Sequence, residues 1–296
     1  MFRMIKDIDI KFMSMTRIPL IISSFFLIIS LLSITIKGFN FGIDFSSGYI
    51  VQLKFNNQVT VLQIQEKLAS NKLSDSTVQL YGSSNDVLIK LKDEKSFKQI
   101  NINNQLAQIF NDNQFQIIKL EYVGAQVGSE LRDKGEWAML IALFSILIYV
   151  AIRFELIYGL GAITALIHDV IITLGVFSIF DLTFDLSVLA AILAVIGYSL
   201  NDSIVVFDRV RENNIALRKM SIFDVLNKSI NQTLSRTLVT SLTTLLVIIS
   251  LLIFGGDAVK NFSIAMFLGI IIGTYSSIFI AGTSLSYFGI QRPEQS

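Results

Sequence analysis

The sequence has 296 residues, of which 52% are hydrophobic and 16% are charged, whereas soluble chains carry about 25% charged residues. This composition indicates a membrane protein, and the formal net charge of +1 provides no field that would attract nucleic acid. The chain contains no Cys and one His, which excludes disulfide frameworks, thiolate metal clusters and cysteine nucleophiles and argues against a histidine-built metal site.

The first predicted element is a transmembrane helix over 18–36, which follows a tail at 1–17. This run has no charged residue, and a bilayer core needs about 20 such residues. It resembles the core of a signal peptide behind a basic start, but it is long for one and lacks a convincing small-residue cleavage site. We therefore interpret it as an uncleaved anchor.

A polar segment, 37–134, predicts an exported α+β domain. Its periodicities predict elements in the order βαββαβ, namely 49–55, 61–68, 77–81, 87–92, 97–110 and 115–123. This order is typical of a ferredoxin-like domain, and a turn-rich connection is expected at 82–86. The fold alone assigns no activity.

Gly38, Gly42 and Gly48, in and just before the string FGIDFSSG at 41–48, predict tight turns just after the first span, because glycine permits unusual backbone angles. Asp44 within this string is either a ligand-binding carboxylate or a residue that closes a turn or caps a helix. We favour the turn or cap.

Five further spans are predicted by their apolar composition, at about 135–153, 156–180, 186–207, 237–256 and 261–290. A cytoplasmic loop at 208–236 and a tail at 291–296 complete the chain. The predicted fold class is thus a polytopic α-helical membrane protein with six transmembrane helices and one exported domain between the first two.

The orientation follows from the basic residues in the tails and short connections, which are retained in the cytoplasm. Of the residues in the opposing turns, 181–185 and 255–260, Lys260 alone is basic. Both termini are therefore predicted to lie in the cytoplasm, together with Arg3, Lys6, Lys11, Arg17, Arg153, Arg209, Arg211, Arg218, Lys219, Lys228, Arg236 and Arg292.

Three ionisable side chains lie within predicted spans, where an Asp costs at least about 2.5 kcal/mol: His168, Asp169 and Asp202. Asp202 shares a helical face with Tyr198 and Asn201. On the next span another face has the same polar character and carries Arg236, Thr240, Thr243 and Thr244. If the two faces meet, pairing with Arg236 favours a charged Asp202 and burial opposes it, so this carboxylate is a candidate for proton uptake and release.

Structural interpretations of these residues stay open. Arg236 can extend to the headgroups while Asp202 completes a hydrogen-bond network. His168 and Asp169 lie about 100° apart on one helix and so cannot share one narrow face; they serve either as a proton relay or, as we favour, in interhelical bonding. Small residues at every fourth position of the last span predict close helix packing, namely Gly269, Gly273, Ser277 and Ala281.

The sequence contains no Walker motif, zinc-binding helix or nucleophile elbow, so we predict neither an ATPase nor a hydrolase, and no enzyme. No cofactor or metal is predicted, and protons are the expected coupling ion. One proton that crosses about 150 mV releases about 3.5 kcal/mol, which shifts a two-state equilibrium by a few hundredfold.

Several ordered motifs carry a resemblance to one family. They are FGIDF at 41–45, Val123-Gly124, ELR at 130–132, HDV at 168–170, VIGYSLNDSIVVFDRVREN at 195–213, SRT at 235–237 and TSLTT at 240–244. Together they resemble the SecF branch of the SecD/SecF protein-export family, within the resistance-nodulation-division superfamily. The string Ser46-Ser47-Gly48 departs from the Thr-Gly-Gly that is usual there.

The resemblance implies a subunit of the bacterial inner membrane that works with SecD beside the SecYEG channel, after the motor SecA, and in association with YajC and YidC. It implies that the proton gradient helps to pull or release the translocating preprotein, with Asp202 as the proton-linked acid and Arg236 as its basic partner. Two alternatives remain: a small-molecule or lipid exporter half of the same superfamily, and a scaffold that stabilises the channel complex.

Overall fold

The computed structural model describes residues 10–71, 73, 76–81, 83–92, 102–110 and 114–289. Within these residues the chain forms a bundle of membrane helices that carries one small α+β domain. Residues 97–101 of the predicted second domain helix, the turn residue Gly82 and the tail residues Arg3, Lys6 and Arg292 lie outside the described residues.

Among the residues described, six helices are long and apolar enough to cross a membrane, which confirms the predicted fold class. They are α1 (Arg17–Ile36), α4 (Ala125–Arg153), α5 (Leu156–Ile179), α6 (Leu186–Ala216), α7 (Ile222–Phe254) and α8 (Asp257–Phe288). A short 3-10 helix, Phe12–Met15, precedes α1.

Three of these helices extend by nine or more residues beyond the apolar runs from which they were predicted, and α8 begins four residues earlier than predicted, at Asp257. Helix α4 begins at Ala125 rather than at 135. The segment 208–236, expected as a loop, is mostly helical, because α6 continues to Ala216 and α7 already begins at Ile222. Hydropathy marks the part of a helix that lies in lipid, whereas hydrogen bonding and caps decide where it ends. Helix α7 is capped by Ser221, whose hydroxyl accepts from the backbone N–H of Asp224 at 3.1 Å.

The extramembrane domain has the predicted βαββαβ order. Its elements are β2 (Gly48–Phe55), α2 (Val61–Ser70), β3 (Ser76–Tyr81), β4 (Ser83–Lys92), α3 (Ile102–Phe110) and β5 (Phe115–Val123). The strands form an antiparallel sheet in the order β3-β4-β2-β5. Helices α2 and α3 cover one face of this sheet with Ile64, Leu68 and Leu106, and the other face is open.

The structure corrects the expected turn at 82–86 and gives a reason for the glycine at position 48. The connection expected at 82–86 is mostly strand, since Tyr81 pairs with Ser83 and the two strands extend past the core. In the string Ser46-Ser47-Gly48, which departs from the usual Thr-Gly-Gly, the final glycine is kept. A glycine is needed at position 48 because a Cβ there would lie 2.3 Å from the carbonyl oxygen of Leu91.

A second, two-stranded sheet joins the domain to the bundle. Strand β1 (Asn40–Phe41), which follows α1, pairs in parallel with β6 (Thr183–Phe184), which lies between α5 and α6. An aromatic cluster surrounds this sheet, with the rings of Phe45 and Phe184 5.6 Å apart. Neither strand was predicted, because a two-residue strand leaves no periodicity to detect.

Polar contacts complete the same junction. Asp44 Oδ2 accepts from the backbone N–H of Leu186, the first residue of α6, at 3.3 Å, whereas the N-cap of that helix is Asp185. Arg132 of α4 donates from Nη2 to the carbonyl oxygen of Phe45 at 2.7 Å, and its guanidinium lies 4.5 Å from the centre of the Phe41 ring. The domain is thus fixed to three membrane helices, not only tethered to them.

Helix α8 packs closely against α6 through the predicted stripe of small residues. A Cβ at Gly269 would lie 2.3 Å from Cγ2 of Val195, and a Cβ at Gly273 would lie 3.0 Å from Cβ of Ser199. Ser277 and Ala281 on the same stripe are fully buried. The absence of side chains at the two glycines lets α6 and α8 approach each other along much of their length.

Replacing Gly269 should therefore destabilise the bundle. We expect Gly269→Leu to cost about 1–3 kcal/mol because Val195 cannot move away, which lowers the unfolding temperature of the purified protein by about 3–10 °C. Gly197→Leu on α6 is the matched control, since a Cβ at Gly197 meets nothing within 4 Å. Equal unfolding temperatures for the two variants would contradict this packing role.

Candidate functional site

Asp169 of α5 lies at the centre of a buried polar cluster that joins three membrane helices. Its Oδ1 lies 2.9 Å from Nδ1 of His168. Its Oδ2 accepts hydrogen bonds from the hydroxyls of Ser199 on α6, at 2.6 Å, and Ser276 on α8, at 2.7 Å. Asp169 is 0% exposed. We refer to these four residues as the Asp169 cluster.

The cluster extends to a fourth helix through Tyr275. The ring of Tyr275 stacks on that of His168, with centroids 6.2 Å apart. The Tyr275 hydroxyl donates to the carbonyl oxygen of Pro19 in α1 at 2.7 Å. Its one hydrogen is used in that bond, so the hydroxyl of Ser23, 3.0 Å away, donates to it. Helices α1, α5, α6 and α8 are therefore connected through polar contacts inside the bundle.

The geometry of His168 and Asp169 differs in one respect from the sequence interpretation. The two side chains cannot share a narrow helical face, yet they bond directly to each other as sequence neighbours. Ser199 and Ser276 were not identified from the sequence as partners. The spacing in the sequence could have indicated both serines. Ser199 lies three residues before Asp202 on the same face of α6, and Ser276 lies three residues after Gly273 of the packing stripe.

Asp202, the residue singled out from the sequence, lies in a different environment. It is 3% exposed, and its Oδ2 has no hydrogen-bond partner within the described part of the chain. Ser241, Arg236 and Thr240 of α7 lie close enough to interact with its carboxylate electrostatically. The two predicted polar faces therefore do approach each other.

The expected ion pair between Asp202 and Arg236 is not formed in this structure. Arg236 is exposed, and the ion pairs among the described residues involve other side chains. A long side chain near the end of a span can extend toward the headgroups, which accounts for this separation.

The remaining predicted polar residues divide into two groups. Thr240, Thr243 and Thr244 donate their hydroxyl hydrogens to backbone carbonyls one turn earlier in α7, at 2.9–3.0 Å. These bonds lie within α7, and Thr240 alone of the three also lies close enough to Asp202 of α6 to interact with its carboxylate. Tyr198 has a buried hydroxyl without a partner among the described residues, whereas Asn201 is exposed.

The bundle thus contains two buried acids that differ in their hydrogen bonding: both oxygens of Asp169 have partners, whereas Oδ2 of Asp202 has none among the described residues. A carboxylate accepts hydrogen bonds and donates none, and Asp169 has three groups in hydrogen-bonding contact with it. Asp202 has an oxygen that is buried without a partner, as do Ser203 one residue later and Thr237 on α7. A buried unsatisfied polar group costs about 1–3 kcal/mol, so the Asp202 region gains free energy from any change that supplies a partner.

Loss of Asp169 should be costly because three neighbours lose their partner at once. We expect Asp169→Ala to lower the free energy of unfolding by about 3–5 kcal/mol, and Ser199→Ala or Ser276→Ala by about 1 kcal/mol each. Thr243→Ala is the control, because its hydroxyl bonds only within its own helix. Unfolding by titration with a denaturing detergent measures these differences, and an Asp169→Ala value no larger than that of Thr243→Ala would refute the cluster's role.

Comparison with known proteins identifies the family. The family model described as "Protein export membrane protein SecD/SecF, C-terminal" matches residues 102–291, and the "SecD/SecF GG Motif" model matches residues 32–59. The chain is 47% identical to the protein translocase subunit SecF of Calditerrivibrio nitroreducens, with 93% of this chain and 92% of that protein covered. It is 45% identical to the corresponding subunit of Pseudomonas aeruginosa, with 97% and 94% covered.

Solved structures agree with these relationships. SecDF from Thermus thermophilus, described as a translocon-associated membrane protein, matches with a TM-score of 0.79 and 36% identity over 95% of this chain. SecDF in a super-membrane-facing form matches with a TM-score of 0.78 and 35% identity over 97%. In both cases the present chain spans 39% of the length of the solved chain. The chain therefore belongs to the SecD/SecF family of protein-export membrane proteins.

Proposed function

We propose that this chain is a translocase subunit that works with SecD and uses the proton motive force to complete the export of preproteins through SecYEG after the step driven by SecA. In this proposal it lies in the bacterial inner membrane with both termini in the cytoplasm, and YajC and YidC are further partners. Its curated relatives are translocase subunits of similar length, which favours this function over a small-molecule exporter.

The observation that carries the proton-linked part of the proposal is the state of Asp202. Its carboxylate is buried within the span, has one oxygen without a partner among the described residues, and lies within electrostatic reach of Arg236. Ionisable residues are rare in membrane spans, and those that occur commonly mark ion or proton pathways. Protonation of this carboxylate converts a buried charge into a neutral group that can also donate a hydrogen bond.

The partner is supported by the size of the bundle. The described residues include six candidate spans, and the chain corresponds to 39% of a SecDF chain, so a second set of spans is needed to complete an assembly of that kind. Much of α4 and α7 is exposed in the isolated chain, including Leu140, Phe144, Leu242 and Leu246. Of the two helices, α7 also carries Arg236, which supports α7 as the surface that meets SecD near Asp202.

The mechanism follows from the difference between α7 and the other helices. The Asp169 cluster holds α5, α6 and α8 together, whereas Ser241 bonds α7 to Thr274 of α8 at 2.7 Å. When a proton neutralises Asp202, the attraction between its carboxylate and Arg236 ends, and α7 is free to shift against SecD. Because the extramembrane domain is fixed to α4, α5 and α6 at the junction, it stays with this rigid unit, and a shift of α7 and SecD against the unit changes the angle between the domain and SecD while the domain contacts the translocating preprotein.

Asp202→Asn should abolish the part of translocation that depends on the proton gradient. In energised membrane vesicles that hold a stalled preprotein after removal of ATP, the native protein should complete export faster than without a gradient, and the variant should lose that increment. Asp208→Asn is the matched control, because Asp208 lies on the same helix and pairs with Arg153 at 3.7 Å. The abundance of each variant must match that of the native protein.

The outcomes separate the alternatives. If Asp202→Asn and Asp208→Asn behave alike, Asp202 is structural and the scaffold becomes the better interpretation. If the protein is a scaffold, its function should instead be lost in Gly269→Leu, which disturbs the packing of α8 on α6. Gly273→Leu is a less specific test, because a Cβ at Gly273 would lie 3.5 Å from Asp169 Oδ2 and would disturb the Asp169 cluster as well. A small-molecule exporter would move its substrate without any effect on preprotein completion.

The basic partner gives an independent test in the same assay. Arg236→Gln removes the charge that acts on Asp202 and should remove most of the gradient-dependent increment, whereas Arg236→Lys keeps the charge and should retain part of it. Arg209→Gln is the control, since Arg209 pairs with Glu212 at 2.6 Å within α6. Full activity of Arg236→Gln would show that Arg236 only extends to the headgroups.

A further inference from the structure

A cavity of about 440 Å³ lies between the open face of the domain sheet and the ends of the membrane helices. Lys90 and Lys92 of β4 line it from the sheet, on the face opposite to the buried Ile89 and Leu91. Lys37, Asp181 and Asp185 line it from the helix ends. Its volume falls within the roughly 300–1,000 Å³ that is usual for small-ligand sites.

The floor of the cavity lies where the apolar spans stop. Lys37 directly follows Ile36, the last residue of α1, and Asp181 comes two residues after Ile179, the last residue of α5. Asp185 directly precedes α6. Since the hydrocarbon core of a bilayer ends where such spans end, this depth is that of the lipid headgroups in the leaflet on the side of the domain.

Two of the three lysines have donors to spare. Lys37 Nζ donates to the carbonyl oxygen of Ile179 at 3.0 Å, and Lys92 Nζ donates to Oδ1 of Asn40. An ammonium group has three donors, so each of these bonds fixes the lysine and leaves two N–H groups for a ligand. Lys90 Nζ lies 3.9 Å from Oδ1 of Asp44 and is neutralised by it.

The two carboxylates that line the cavity differ in availability. Asp185 is occupied, since its Oδ1 accepts from the backbone of α6 and its Oδ2 accepts from Nδ2 of Asn261 at 3.3 Å. The side chain of Asp181 makes no hydrogen bond or ion pair with any residue that the structure describes. Its backbone is held in the left-handed region, at φ 55°, and its carbonyl oxygen accepts from Nδ2 of Asn40 at 3.1 Å. The cavity is therefore lined by one carboxylate that has no partner among the described residues and by two ammonium groups that each have two N–H groups left for a ligand.

We propose that this cavity binds the headgroup of phosphatidylethanolamine, with its phosphate at Lys37 and Lys92 and its ammonium at Asp181. Three lysines and three aspartates, Asp44 included, lie in or beside the cavity, so their charges sum to zero. A simple anion gains little from such a site, whereas a zwitterion with separated charges complements it. The proposal does not depend on the proposed function, and a bound lipid would hold the sheet against the membrane surface.

Lipid retention by the purified full chain tests the proposal. The protein in mild detergent is titrated with phosphatidylethanolamine or phosphatidylglycerol of identical acyl chains, and bound lipid is counted by native mass spectrometry. We expect the native chain to prefer phosphatidylethanolamine about tenfold, the gain of one charge-assisted hydrogen bond. A native chain that prefers phosphatidylglycerol, or shows no preference, would overturn the proposal.

Charge-removing variants locate the site. Asp181→Asn should reverse the preference toward phosphatidylglycerol; it breaks no described hydrogen bond, and Asn tolerates a left-handed backbone, so the fold should be kept. Lys37→Gln with Lys92→Gln should lower retention of both lipids about tenfold or more. Lys119→Gln is the control on the same domain, because Lys119 lies outside the cavity and pairs with Glu121 at 2.7 Å. Retention and preference that are unchanged in both cavity variants would refute the assignment.

Two soluble probes separate a lipid from a free phosphate. Phosphoethanolamine at millimolar concentration should compete with the bound lipid in the native chain, and inorganic phosphate should compete much less. If inorganic phosphate displaces the lipid equally well and raises the unfolding temperature to the same extent, the site recognises phosphate alone and the proposed lipid is wrong.

Discussion

The carboxylate of Asp169 is the contact on which the arrangement of the membrane helices depends. Placed at 0% exposure inside an apolar bundle, it must find donors or be very costly, and it finds them on its own helix and on two others. The apolar residues around it can pack in several registers, whereas hydroxyl-to-carboxylate bonds of 2.6–2.7 Å fix the register of α6 and α8 against α5. The glycines of α8 serve the same contact, because they bring its backbone close enough for Ser276 to reach.

Asp202 lies close to this fixed core but, unlike Asp169, has a carboxylate oxygen without a hydrogen-bond partner among the described residues. Ser199 and Asp202 lie three residues apart on one face of α6, so the satisfied cluster and the unsatisfied acid are separated by about one helical turn, roughly 5 Å. The cluster holds α6 in place, and the neighbouring α7 carries the cation that acts on Asp202. The Asp169 cluster keeps α6 fixed, whereas the contact between Asp202 and α7 can change. Such a pairing of a fixed helix with a changeable contact is expected of a two-state element.

The sequence predicts much of this fold because the bilayer imposes a simple rule. Charge-free runs such as 18–36 define the spans, and alternation in strands such as β2 defines the domain. The helix ends were missed where α6 continues to Ala216, since the apolar signal stops at the lipid boundary but the backbone hydrogen bonds do not. The position of Asp202 opposite α7 followed from helical spacing, whereas the exposure of Arg236 did not, because a flexible side chain at a span end has several favourable positions. Ser199 and Ser276 were missed because serine is common in membrane helices and only tertiary packing selects the two that meet Asp169.

The pairing of β1 with β6 and the hydrogen bond from Leu186 of α6 to Asp44 also impose an order on biosynthesis. Asp44 and Leu186 are 142 residues apart in sequence, and the βαββαβ domain ends at Val123, 60 residues before Thr183. At about 5–20 residues per second, the ribosome needs roughly 3–12 s to make those 60 residues, which is ample for a small domain to fold. The domain therefore completes its own sheet while its attachment strand does not yet exist, and it docks only after α5 and the turn that follows have been inserted. Until that moment Phe41 and Phe45 lack the contact with Phe184 of β6, so the junction is the last part of the domain's attachment to form.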